Sequence, residues 1–98
     1  MKFQVLLSPA AEDDAFEIEA WYESKKPGLG AVFVQSLGRS LQTLTAFPHL
    51  EIRYDNIRFK GIDRFPHLLH FWVDDEERIV EVIAILHPAQ DPRSAAKR

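Results

Sequence analysis

The hydrophobic period of this chain changes once, near Pro48, and that change dictates a two-part architecture. Before it, apolar residues recur every three or four positions. Ala11, Ala15, Ile18 and Tyr22 form one stripe, widened by Phe16 and Trp21. Gly30, Val34, Leu37, Leu41 and Leu44 form a second, flanked by Phe33 and Phe47. Such spacing keeps side chains on one helical face. Ser8 offers a hydroxyl to an orphan helix N–H, and Pro9 suits the first helical turn, where its missing N–H is not needed. Glu12, Asp13 and Asp14 follow where the helix dipole favours negative charge. The first helix is expected from about residue 9 to about residue 25. Lys25-Lys26-Pro27-Gly28 is a short connector, and Pro48 ends the second helix because proline cannot continue the ladder. Residues 9–47 therefore read as an α-hairpin with one apolar seam.

After Pro48 the pattern is that of strands. Ile52-Arg53-Tyr54 is a short strand candidate, and Asp55-Asn56 is a turn signal. Residues 57–62 alternate apolar with basic or small. Residues 65–73 are almost wholly apolar apart from His67 and His70. Asp74-Asp75-Glu76-Glu77 makes a charged tip, and residues 79–86 carry the strongest β signal, read as a central strand covered on both faces. Residues 3–7 add a strand at the start. Asp91-Pro92 resembles the N-cap and first turn of a short basic tail helix. The fold class is α+β, in the order β-α-α-β-β-β: an antiparallel sheet with the N-terminal α-hairpin packed on one face. A length of 98 residues suits one domain over 1–98.

Composition narrows the chemistry. The chain has no Cys, so disulfides and thiolate metal sites are out. No apolar run nears the roughly 20 residues that cross a bilayer. The first residues are too short and too soon punctuated for a signal peptide, and a cytoplasmic location is expected. The net charge of -3 argues against nucleic acid as the main partner. His67 and His70 lie three apart on a strand and point to opposite faces, so one metal does not take both; no metal or cofactor is expected. His87 stands where the last strand meets a loop, a common place for functional side chains, and equally a place where a histidine bonds backbone. Arg58, Lys60 and Arg64 form the one basic group with structural logic. On a strand, residues 58 and 60 share a face and suit a phosphate or a partner's carboxylates, or else guard an edge strand against aggregation.

Several local features resemble one family. Ser8-Pro9-Ala10-Ala11 with Asp14, Ile18 and Tyr22 looks like the opening helix of the RelE/ParE superfamily of bacterial toxins, the plasmid-stabilisation type. The leucine-rich second helix ending at Phe47-Pro48 is similar to that family's second helix. Arg64-Phe65-Pro66-His67 resembles its Arg-x-Phe-Pro-Tyr strand, with His67 where tyrosine is usual. Ile83-Ala84-Ile85-Leu86-His87 and then Asp91-Pro92 resemble its closing element.

The resemblance implies a toxin of a type II toxin–antitoxin system, neutralised by a cognate antitoxin and assembled as a homodimer or as a heterotetramer with it. A ParE-like chain inhibits DNA gyrase by protein contact, without enzymatic activity. A RelE-like chain is a ribosome-dependent mRNA endoribonuclease, and here it would use Arg58, Lys60, Arg64 and His87. A non-toxic interaction domain of the same fold is a third outcome. The tract His87-Pro88-Ala89-Gln90 has no Arg or Lys before Arg93, which favours the ParE-like branch. Target contacts are then expected at Arg64, His87, Asp91 and Arg93. Antitoxin contacts are expected at Phe16, Trp21, Phe33 and Trp72, since aromatics dominate binding hot spots.

Overall fold

The structure, a computed structural model, describes residues 2–90. Strand β1 (Gln4–Leu7) leads into helices α1 (Pro9–Lys25) and α2 (Leu29–Ala46). Strands β2 (Ile52–Tyr54), β3 (Ile57–Ile62), β4 (Phe65–Asp74) and β5 (Ile79–Leu86) follow. The short Ile52–Tyr54 segment is thus a true strand, one more than the expected order contained. The tail helix expected at Asp91-Pro92 lies outside the described residues.

One sheet holds all five strands in the order β1-β5-β4-β3-β2. The expected all-antiparallel sheet is corrected in one respect: β1 pairs parallel with β5, from Gln4 opposite Ile79 to Leu7 opposite Val82. The meander from β2 to β5 reverses direction three times and leaves β5 running with β1. β4 holds the centre of the sheet, with β5 internal between it and β1. β5 alternates buried and half-buried positions as far as Ile83, and only Ala84–Leu86 are buried in succession. Val80, Val82 and Ile85 join the core under the helices; Ala84 and Leu86 belong to a separate small cluster.

α1 begins as its sequence demands. The Ser8 hydroxyl accepts the Ala11 N–H at 3.1 Å, and Pro9 occupies the first turn. α2 has no side chain of its own for that task, because its N-cap is Gly28 at φ 91. The Glu23 carboxylate, from the last turns of α1, accepts the N–H groups of Gly28 and Gly30 instead. A negative group at that end also complements the helix dipole. The two helices meet closely there. A Cβ on Gly30 would stand 2.9 Å from the Glu19 carbonyl oxygen and 3.0 Å from Glu23 Oε1.

The seam of α2 is rotated from the expected one. Phe33 is fully buried, whereas Val34 is 43% exposed. The Phe33 ring packs between Tyr22, at 5.8 Å, and Phe65, at 5.2 Å. Phe33 therefore belongs to the core and is not available to an antitoxin. Ser40 is also buried, and its hydroxyl donates to the Gly61 carbonyl at 3.1 Å. That bond satisfies backbone at the irregularity between Gly61 and Ile62, where the β3–β4 register shifts. Phe16 and Trp21 do not widen the α1 seam. They are 67% and 56% exposed, because the face that meets the sheet is narrower than the apolar stripe.

The two helical glycines of α2 give opposite predictions. Gly38 has nothing within 4 Å of a built Cβ, so Gly38→Ala is expected to add about 0.5–1 kcal/mol of stability. Gly30→Ala is expected to cost about 1–3 kcal/mol by forcing the helices apart. Urea unfolding of both variants checks the pair. Leu44→Ala, at a fully buried position, is expected to cost about 2–5 kcal/mol in the same measurement.

Candidate functional site

Three concavities bring the chemistry-bearing residues together. The largest, about 710 Å³, lies on the sheet face turned away from the helices. One wall is the start of α1. Ser8 pins it there, with its N–H donating to the Val82 carbonyl and its hydroxyl to the Ile83 carbonyl. The opposite wall is the β2–β3 turn, where Asp55 takes φ 48. Trp72 and Ile83 line the groove between these walls, and the Trp72 Nε1–H donates to Glu81 Oε1 at 2.9 Å. Its charged lining residues are Asp55 and Glu81, both acidic. Beneath the groove's edge, the Tyr54 hydroxyl and His70 Nδ1 share a hydrogen bond of 3.1 Å, and Phe59 packs on the His70 ring. Burial, and then the charge of Asp55, push the Tyr54 hydroxyl above its ordinary range. Trp72 thus sits in this groove and not on the helical surface with Phe16 and Trp21. Nothing in the linear pattern singled out Asp55, Tyr54 or Glu81. Glu81 stands opposite Trp72 through the β4–β5 register, which the linear pattern does not carry.

A second cleft, about 420 Å³, runs between α1 and the ends of β4 and β5, and Ile18, Trp21, Tyr22, Pro66, His67 and His87 line it with Glu17. The two imidazoles meet edge to face at 5.7 Å. His67 Nδ1 is buried with no hydrogen-bond partner among the described residues. Burial, and then the charge of His87, hold His67 below the ordinary imidazole range. His87 Nδ1 accepts the Ala89 N–H at 3.1 Å, and the His87 N–H donates to Gln90 Oε1. His87 therefore closes its own loop, the structural role weighed for it above, while its ring still borders the cleft. His67 and His70 lie in separate environments, as their spacing implied.

A third cleft, about 520 Å³, gathers Arg39, Lys60 and Arg64 beside Asp63. Arg39, from α2, was missed by the strand-based reading because only the fold brings α2 over β3. Arg58 does not line that cleft. It shares with Lys60 the face turned to the helices, opposite Phe71, and its Nε and Nη1 are buried without a hydrogen-bond partner among the described residues. The four residues expected to surround a phosphate are thus divided: Lys60 and Arg64 in one cleft, His87 in another, and Arg58 half-buried. Asp91 and Arg93 lie outside the described residues. Among the described residues no group of three or more His, Asp or Glu is placed to hold a metal ion.

Arg64 sits at φ 72, a region costly for a side chain with a Cβ. Arg64→Gly is therefore expected to leave thermal stability unchanged or raised by up to about 1 kcal/mol, which lets target binding be tested apart from folding. The lowered His67 pKa means that stability is full above the ordinary value of about 6.5 and is lost as pH falls through the depressed folded value. The stability difference between wild type and His67→Phe, measured by urea unfolding at about pH 7.5 and again at about pH 5, is expected to move in favour of the variant in acid.

No helix among the described residues is long and apolar enough to cross a membrane. A solved chain from the chromosomal ParDE toxin–antitoxin system of P. aeruginosa superposes with a TM-score of 0.76 at 16% identity, covering 87% of this chain and 95% of that one. A chain of the RelBE2 toxin–antitoxin complex from Mycobacterium tuberculosis superposes with a TM-score of 0.59 at 18% identity, covering 92% and 95%. No protein of curated function matches by sequence. The model of the family described as "ParE toxin of type II toxin-antitoxin system, parDE" matches residues 5–92, and with the two-helix, five-strand fold in place the chain belongs to the ParE family of type II toxins.

Proposed function

We propose that this chain arrests growth by binding DNA gyrase as a protein ligand, performing no chemistry of its own, and that a cognate antitoxin keeps it silent. The observation that carries this reading is the separation of the groups a ribonuclease needs. Cleavage at a ribose 2′-OH calls for charge stabilisation and proton transfer around one phosphate. Here the cations of the third cleft stand without His87, which lines the second. The largest groove is lined by Asp55 and Glu81, whose charge repels a phosphate backbone. The antitoxin is supported by the origin of both structural neighbours in toxin–antitoxin systems, and by Phe16 and Trp21, large aromatics left on the surface of α1. Action on gyrase places the chain in the cytoplasm.

The competing reading, mRNA cleavage, draws on the convergence of Lys60 and Arg64 with Arg39 in a single cleft. Growth after induced expression, combined with supercoiling by gyrase in the presence of the purified chain, separates the two. Arrest with loss of supercoiling is the expected result. Arrest with intact supercoiling, and RNA cleavage that disappears in His87→Ala or Arg64→Ala, would establish the nuclease instead. Absence of arrest would make the chain a non-toxic interaction domain.

A further inference from the structure

We propose that the groove over Trp72, between the first turn of α1 and the β2–β3 turn, binds an arginine side chain carried on an extended segment of a protein partner. The two carboxylates that line it, on Asp55 of the β2–β3 turn and Glu81 of β5, border a common space with no lysine, arginine or histidine among its lining residues. An uncompensated pair of like charges in a walled groove is complementary to a cation. Trp72 decides which cation. Its indole is held in place by the bond to Glu81 Oε1, so a flat aromatic surface and a carboxylate with one oxygen still uncommitted to that bond stand side by side. A planar guanidinium stacks on an indole and pairs with a carboxylate in one orientation, whereas an ammonium offers only a point charge. The walls, the first turn of α1 and the β2–β3 turn, leave a channel of about 710 Å³, which suits a chain passing across the strands more than an isolated ion. The inference needs a protein partner but does not require that partner to be gyrase, and its test does not read growth.

The test uses the full chain with Trp21→Phe, so that Trp72 is the remaining tryptophan of the two in the sequence. The Trp72 indole N–H resonance is followed while blocked tripeptides with a central arginine, lysine or glutamate, and separately uridine monophosphate, are added. Saturable movement with the arginine peptide, weaker binding of the lysine peptide, and at least tenfold loss of affinity in Asp55→Asn/Glu81→Gln are expected. Glutamine keeps an acceptor for the Trp72 N–H, and asparagine tolerates the positive φ at position 55, so the double variant retains its fold. A melting curve confirms this before titration. No movement, equal response to the lysine or glutamate peptide or to the nucleotide, or binding unchanged in the double variant would each overturn the assignment.

Discussion

The pairing of β1 with β5 is the contact on which the remaining architecture rests. It joins β1 to the last strand among the described residues, and it leaves a difficulty. β1 stops at Leu7 opposite Val82, while β5 continues to Leu86. Backbone groups of β5 beyond that point lie part-buried and require partners. α1 supplies them: Ser8 Oγ takes the Ile83 carbonyl, and the Asp14 carboxylate accepts the Ile85 N–H at 2.9 Å. A helix side chain thus finishes an edge that a longer strand would otherwise have paired, and α1 is fixed along β5 at two points more than one turn apart.

Both α1-bordered clefts follow from that anchoring. The first turn of α1 becomes a wall of the groove over Trp72, and the stretch from Ile18 to Tyr22 becomes a wall of the cleft at His67 and His87. The same helix then reaches α2 through Glu23, whose carboxylate caps a helix that begins in glycine. α2 in turn lies over β3 through the Ser40–Gly61 bond and brings Arg39 to Lys60 and Arg64. Charge is sorted by this arrangement. Carboxylates line the groove on one face of the sheet, and cations collect at the opposite side beside α2. The net charge of -3 conceals that division.

The elements themselves were legible in the sequence to within about a residue at nearly every boundary. Their signals are local: Ser8-Pro9 opens α1, Pro48 follows α2, Asp55-Asn56 turns β2 into β3, and the apolar run at residues 79–86 forms β5. Errors arose where a local signal had two readings. Phe33 and Val34 both lie on a plausible seam, and the choice between them depended on the rings of Tyr22 and Phe65. The aromatic residues Phe16, Trp21, Phe33 and Trp72 looked alike in the sequence. The fold sends two to solvent, one to the core and one into a groove.

What the sequence determined by itself was the number and kind of most elements and the family resemblance, because these depend on periodicity and on capping or turn residues a few positions apart. Only the tertiary structure decided that β1 runs parallel to β5, that Arg39 joins Lys60 and Arg64 while His87 does not, and that Asp55 and Glu81 share one groove with Trp72. Those outcomes depend on which strands become neighbours and how the helices lie across them. Such contacts join residues far apart in the chain, and their energy is set by burial and by satisfaction of backbone groups that no local pattern records.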